Sequence, residues 1–216
     1  MKESKSNYLF KILRKVYYLT ILNILWVFMN IIGLVIFSAI PATLTVFDIL
    51  IKLNEEEDLL IFKEFFLTFN KFFKRSLKYS LFIFSVLIIM FFSIYLTYNL
   101  LTNFKDLNPI FYIVSIITLI LLVILFVFFL VVINQILYIL IIDINIELLS
   151  GITLAIKMSV ILLFKTLLSL IVFILYIIIG FLIPEIIIFL IFIGMPMIFL
   201  LNLGLLLKDY QKYFSI

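Results

Sequence analysis

Long apolar runs constrain the fold of this chain more than any other feature of its sequence. A helix needs about 20 apolar residues to cross the ~30 Å hydrocarbon core of a bilayer. Five runs have at least that length, namely residues 19–40, 81–101, 110–142, 160–183 and 186–207. In addition, 67% of the 216 residues are hydrophobic and 13% are charged, whereas soluble domains are about half apolar and about a quarter charged. The sequence therefore predicts an all-α, polytopic helical membrane protein.

The positions of lysine and arginine predict how these runs cross the membrane. Short cytoplasmic loops carry the excess of basic residues, but five simple crossings put the basic segments 1–18 and 52–78 on opposite sides. A further crossing by residues 37–53 removes this conflict, because 15 of the 16 basic residues then lie inside and only Lys105 lies outside. We therefore predict six membrane segments as three helical hairpins in a bacterial plasma membrane, with both termini cytoplasmic. Five spans are the alternative, in which residues 37–53 do not cross.

A proline in each predicted outer turn supports the three hairpins. These prolines are Pro41, Pro109 and Pro184, and proline suits the first turn of a helix because its missing N–H needs no partner there. The whole chain, residues 1–216, is expected to form a single membrane domain. Residues 1–18 are its basic cytoplasmic N-terminal segment, and residues 54–78 are a cytoplasmic acidic loop followed by an interfacial helix.

The stretch FKEFFLTFNKFFKRSLK, residues 62–78, has the pattern of an amphipathic helix. Its apolar residues recur at helical spacing, and its basic residues lie on the opposite face. Such a helix is expected to lie flat on the cytoplasmic surface, with its rings among the acyl chains and its basic groups at anionic headgroups. Docking of the aromatic face on a partner subunit is the alternative. The candidate contact residues are Phe65, Phe69, Phe73, Lys71, Lys74 and Arg75.

Three polar residues inside the predicted crossings are candidates for the lining of a solute path. Asp48 is the only acid in a predicted crossing, and Lys52, four residues on, is placed to pair with it in a helix. Asn23 and Asn30 are seven residues apart and therefore share a face of the first helix. We expect a structural ion pair for Asp48 and hydrogen bonds between helices for the asparagines. A proton site and a solute-lining role are the alternatives.

Composition argues against several classes of function. The chain has no cysteine and no histidine, so it lacks thiol nucleophiles, the commonest metal ligand and the usual proton shuttle. It also lacks a carboxylate pair with an adjacent base and a glycine-rich phosphate loop, so we expect no enzyme, no cofactor and no metal site. The basic residues follow a membrane pattern, so we expect no nucleic-acid partner. Asn134 and Gln135 are expected near the cytoplasmic end of a helix that continues to Asp143 and Glu147, where a partner has access.

Residues of the first third of the chain carry a resemblance to a known family. They form an LNxxW start, an apolar run with a glycine, a Pro-Ala turn and a basic segment with paired phenylalanines. The matching positions are Leu22, Asn23, Trp26, Gly33, Pro41, Ala42, Phe65, Phe66, Phe69 and Phe73. With them, residues 20–80 resemble the YesL-like family of bacterial integral membrane proteins. The family often has a glycine just before the Pro-Ala pair, where this chain has residues 38–40 as Ser-Ala-Ile.

The resemblance implies a context and no molecular activity, because the family is uncharacterised. Its members are often encoded near carbohydrate ABC transporters and glycan-degrading enzymes. The expected function is therefore that of a non-enzymatic accessory or regulatory component of carbohydrate uptake, with a bilayer of anionic headgroups and ABC transporter subunits as partners. The alternative is a small polytopic transporter or channel for an unidentified solute.

Overall fold

The computed structural model describes residues 2–55, 60–103, 109–182 and 195–213, and these residues contain α-helices and no strand. The helices are α1 (Lys2–Ile32), α2 (Ala39–Glu55), α3 (Ile61–Asn103), α4 (Pro109–Ile142), α5 (Leu148–Ile161), α6 (Leu163–Leu182) and α7 (Met195–Tyr213). The predicted all-α class is confirmed. Most of the acidic loop, Lys105 and the Pro184 turn lie outside the described residues.

Three helices are long and apolar enough to cross a membrane. They are Leu13–Ile32 of α1, the whole of α3 and the whole of α4. Helix α5 and Leu163–Val172 of α6 are bent by 90° at the break between them, and they make a fourth if the pair is one span. The described residues thus support three or four crossings by length and composition, and the predicted six segments are not confirmed.

Helix α2 lies at the centre of the molecule. It packs against α1, α3, α4 and α7, and between Ile40 and Leu50 only Asp48 is more than slightly exposed. A helix that is apolar around most of its circumference is buried in a protein core or in lipid, and here four helices of the same chain enclose α2. Pro41 lies in its first turn and Pro109 opens α4, as expected for residues without an N–H to donate.

Helix α3 is continuous over 43 residues, which corresponds to about 64 Å at 1.5 Å per residue. No proline or glycine lies between residues 61 and 103, so no residue of the segment interrupts the ladder of backbone hydrogen bonds. The segment 62–78, expected as a separate interfacial helix, is therefore the N-terminal part of the same helix that carries the apolar run 81–101.

A strained turn joins α1 to α2. Leu34 and Val35 have φ angles of 53° and 60°, a left-handed conformation that costs an L-residue about 1–2 kcal/mol. Backbone hydrogen bonds hold this conformation, from Val35 N to Asn30 O at 2.8 Å and from Ala39 N to Val35 O at 2.8 Å. The predicted reversal of the chain ahead of Pro41 is present, and it begins at residue 33.

The α1–α2 turn lies beside the N-terminal half of α3. Gly33, Leu34 and Phe37 line the same groove as Phe69 and Phe73. The six-segment prediction places the turn outside and residues 54–78 inside, on opposite sides of a ~30 Å hydrocarbon layer. Residues that line one groove cannot lie on opposite sides of this layer. The structure therefore places the turn and the basic part of α3 at the same depth along the membrane normal.

The outer surface of the bundle is strongly apolar. Exposed large side chains cover the C-terminal half of α3 and the N-terminal half of α4; examples are Ile88, Phe91, Phe92, Ile113, Ile117, Leu121 and Ile124. Soluble monomers rarely expose contiguous apolar patches of more than a few hundred Å². This surface is suited to contact with acyl chains.

Candidate functional site

Polar side chains of the α1–α2 hairpin form a small buried cluster. Trp26 Nε1 donates a hydrogen bond to Thr43 Oγ1 at 3.1 Å, and Asn30 Nδ2 donates to the Trp26 carbonyl at 2.8 Å. Ser38 Oγ lies 3.3 Å from Asn30 Oδ1 and donates to it. Hydrogen bonds of this kind satisfy polar groups that have no access to water, and they fix α2 against α1.

The positions that carry the family resemblance help to build this hairpin. Leu22 is completely buried, Trp26 makes the contact with α2, and Gly33 permits a close approach of Ser38. A Cβ atom on Gly33 would lie 2.4 Å from Ser38 Cβ and 2.6 Å from Ser38 Oγ. Because Ser38 is itself buried, any side chain at position 33 would displace the turn.

The three candidate lining residues do not form one site. Asn23 and Asn30 are buried on α1, about 10 Å apart along the helix axis, since each residue adds 1.5 Å. Asp48 belongs to a different cluster near the end of α2. None of the three contributes to the apolar groove beside the turn. Asn30 bonds to Trp26 O of its own helix and to Ser38 of the α1–α2 turn. Hydrogen bonds of the two asparagines between helices, and a lining role for any of the three residues, stay predictions.

Asp48 forms the expected ion pair with Lys52. The Lys52 Nζ to Asp48 Oδ2 distance is 3.1 Å, and Lys52 also pairs with Glu64 at the start of α3. Lys52 therefore lies between two carboxylates, one on α2 and one on α3. One cation thus fastens the end of α2 to the start of α3.

The aromatic face of residues 62–78 lies largely inside the protein. Phe65 and Phe69 are buried in the core shared with α2, with ring centroids 6.4 Å apart. Phe73 is half-buried and packs against Phe69 at 5.5 Å. These rings were expected among the acyl chains; α2 lies along α3 and covers them instead. The amphipathic pattern therefore marked a real apolar face, and its partner is a helix of the same chain.

The basic face of the same segment is exposed. Lys71, Lys74 and Arg75 point away from the core, and none of them forms an ion pair within the described part of the chain. Lys71 lies over the ring of Phe72, with Nζ 5.8 Å from the ring centroid. Unpaired cations beside apolar surface are available to anionic headgroups or to an acidic partner.

A second polar network, which the sequence analysis did not identify, joins α4 to α6 and α7. Tyr210 donates to the side-chain carbonyl of Gln135, and the Gln135 amide donates to Thr166. Beside this chain, Asn134 Nδ2 donates to Ser169 Oγ at 3.1 Å, and Ser169 donates to Asn202. All six side chains are buried.

Sequence spacing offered a weak signal for this network. Thr166 and Ser169 are three residues apart and share a helix face, as do Asn202 and Tyr210, which are about two turns apart. Adjacent Asn134 and Gln135 are buried in the protein interior, and their position near the cytoplasmic end of the helix stays a prediction. The helix was expected to continue to Asp143 and Glu147, but α4 ends at Ile142. The spacing of polar residues within each helix did not show that α4, α6 and α7 would be joined by hydrogen bonds.

An aromatic chain connects the hairpin cluster with the second network. Trp26 packs edge-on against Phe199 of α7 at 6.3 Å, and Phe199 packs against Phe47 of α2 at 4.9 Å. Phe47 stacks on Tyr138 at 5.8 Å, and Tyr138 stacks on Tyr210 at 5.4 Å. The two polar clusters are thus parts of one rigid core.

The segment between α4 and α5 is anchored by Tyr79 of α3. The Tyr79 hydroxyl lies 3.1 Å from Ile146 O and 3.0 Å from Glu147 O, both acceptors. It also lies directly over Gly151, where an added Cβ would come within 2.3 Å of it. The stretch from Asp143 to Glu147 was expected to be accessible to a partner; the structure fastens its end to α3 through Ile146 O and Glu147 O.

The chemistry available in these clusters is that of neutral amides, hydroxyls and one ion-paired cluster. The residues that the structure describes contain no group of three or more acidic side chains that could hold a metal ion. The buried amides and hydroxyls of the second network bond to one another across helices. Such an arrangement orders a helix bundle and defines its packing.

Comparison with known proteins gives one match. Residues 19–94 match the family described as "Protein of unknown function, DUF624". This region contains most of the apolar part of α1, all of α2 and α3 as far as Ile94, and hence the whole hairpin cluster. No curated protein and no solved structure matches the chain.

Proposed function

We propose that the chain is an integral membrane protein that acts as a non-enzymatic accessory or regulatory component of an ABC-type carbohydrate uptake system. The C-terminal tail and the basic face of α3 then lie on the cytoplasmic side. A cytoplasmic N-terminus, which the sequence predicted, does not fit this arrangement, because a crossing by Leu13–Ile32 would put the N-terminus on the side opposite to the α1–α2 turn and the basic part of α3. The observation that carries this proposal is the exposed, unpaired basic face of α3 beside an apolar exterior. This face offers a contact surface, whereas the buried polar side chains of the hairpin cluster and of the second network are hydrogen-bonded inside the protein.

The carbohydrate context comes from the resemblance of residues 20–80 to the YesL-like family. The match of residues 19–94 to an uncharacterised family is compatible with that resemblance. The proposal concerns assembly and assigns no catalytic role to any residue. A small transporter lined by Asn23, Asn30 and Asp48 has less support, because Asn30 and Asp48 are bonded to other side chains.

Purification from native membranes with a tag on the C-terminal tail tests the proposed function. We expect recovery of a permease or ATPase subunit of a sugar ABC transporter, identified by mass spectrometry. A Lys71→Gln, Lys74→Gln double variant should lose most of this recovery, whereas Lys157→Gln, which removes an exposed cation of α5, should not. Recovery of the chain alone, or recovery equal for all three forms, contradicts the proposal.

The side of the membrane on which each segment lies is tested separately. Single cysteines introduced into this cysteine-free chain report exposure to a membrane-impermeant reagent. Protection of tail and α3 positions in right-side-out vesicles supports a cytoplasmic C-terminal tail and a cytoplasmic basic face. Labelling of the tail from outside contradicts them.

A further inference from the structure

An apolar groove lies between the α1–α2 turn and α3. Its volume is about 300 Å³, at the lower end of the ~300–1,000 Å³ of small-molecule pockets. Its lining residues are Met29, Ile32, Gly33, Leu34, Phe37, Phe69 and Phe73. No charged or amide side chain is among them, so a sugar or another polar solute would find no hydrogen-bonding side chain in the groove.

The α1–α2 turn, which forms one wall of the groove, has an exposed apolar side chain. Leu34 is 70% exposed although it is a large apolar residue, and it has a positive φ angle, as has Val35. Strained backbone persists where the surrounding structure fixes it, and such sites are often functional. Covering the exposed Leu34 side chain with an apolar chain in the groove would lower the free energy, because apolar surface is removed from water.

A lysine directly follows one of the residues that line the groove, since Lys74 comes after Phe73. Successive residues of a helix are about 100° apart around its axis, so Lys74 lies about 100° from Phe73, whereas Arg75 lies about 160° from it, near the opposite side of the helix. The flexible stem of a lysine can follow apolar surface and hold its ammonium group at the polar boundary. Lys74 is exposed and has no ion pair in the described residues.

We propose that this groove binds one acyl chain of an anionic phospholipid, whose headgroup phosphate is bound by Lys74. The apolar lining favours an acyl chain over a polar solute, and the neighbouring Lys74 favours an anionic headgroup over a neutral one. Lipid in the groove covers Leu34 and links the α1–α2 turn to the basic face of α3. This inference goes beyond the proposed function and does not depend on any protein partner.

Native mass spectrometry of the detergent-solubilised protein tests the proposal with two lipids of identical chains. We expect dioleoylphosphatidylglycerol to form a 1:1 adduct more tightly than dioleoylphosphatidylcholine. Lys74→Gln should weaken the phosphatidylglycerol adduct about fivefold, whereas Arg75→Gln, on the other side of the helix, should leave it within about twofold. Equal binding of both lipids, or equal effects of the two substitutions, overturns the assignment to Lys74.

A second pair of variants tests the groove itself. Leu34→Asp places an acid in the wall, and aspartate tolerates the left-handed backbone better than leucine does, so the turn should fold. We expect it to abolish the 1:1 adduct, while Leu149→Asp, at a residue that is 78% exposed on α5, should keep it. Circular dichroism checks helix content in both variants. The proposal is refuted if the 1:1 lipid adduct persists in Leu34→Asp. It is also refuted if the substitution abolishes a dimer of the chain and leaves lipid binding unchanged, because the groove would then bind a second copy of the protein.

Discussion

Replacing Gly151 by alanine is predicted to destabilise the protein through Tyr79. The new Cβ would lie 2.3 Å from the Tyr79 hydroxyl, so the ring must move and its hydrogen bond to Ile146 O or Glu147 O is lost. Overpacking costs about 1–3 kcal/mol, and the lost hydrogen bond costs about 1 kcal/mol. Alanine recovers about 1 kcal/mol of helix propensity. The predicted net loss in the free energy of unfolding is therefore about 1–3 kcal/mol.

Two further variants isolate this mechanism. In the Tyr79→Phe background the hydroxyl is absent and the nearest atom is Cζ at 3.1 Å, so Gly151→Ala should change stability by less than about 1 kcal/mol. Gly204→Ala on α7 meets no atom within 4 Å and should stabilise by up to about 1 kcal/mol. The assay is unfolding in SDS–detergent mixtures, followed by circular dichroism. A Gly151→Ala effect that is equally large without the hydroxyl, or that matches Gly204→Ala, would refute the reasoning.

Three other predictions follow from the described contacts. Gln135→Met keeps the side-chain size but removes the hydrogen bonds that Gln135 makes with Tyr210 and Thr166, so the same assay should show a loss of about 1–2 kcal/mol; Ser115→Ala, which removes a partly exposed hydroxyl, should change it by less than about 0.5 kcal/mol. Lys52→Gln removes the cation between Asp48 and Glu64, and because these groups are partly exposed the loss should stay at about 1 kcal/mol or less and shrink in high salt. Cysteines at Phe37 and Asn70 should be labelled from the same side of the membrane, because Phe37 lines one groove with Phe69 and Phe73; labelling from opposite sides contradicts the packing of the turn on α3.

Helix content and several local contacts were predictable from the sequence. The apolar runs gave an all-α chain, the i,i+4 spacing gave the ion pair of Asp48 with Lys52, and proline placement marked the start of α4. These features depend on residues close together in sequence, for which helical spacing fixes the geometry. The amphipathic stripe of residues 62–78 was also found from spacing alone.

The partner of that stripe was not predictable, because a pattern shows that a face is apolar but does not show what covers it. Lipid and a neighbouring helix satisfy the same phenylalanines equally well, and packing of α2 decides the outcome for Phe65 and Phe69. The network of Gln135, Thr166 and Tyr210 was missed for a related reason. Its members come from three helices, and their contact depends on tertiary packing over more than thirty residues of separation.

The central position of α2 has a consequence for biosynthesis. Phe47, in the second helix to leave the ribosome, is covered by Phe199 and Tyr138, which belong to much later parts of the chain. The α1–α2 hairpin is therefore fully covered only after α7 has been synthesised. Nascent chains that stop short of α7 would present an unsealed aromatic surface, and membrane proteases and chaperones would recognise them as unfinished.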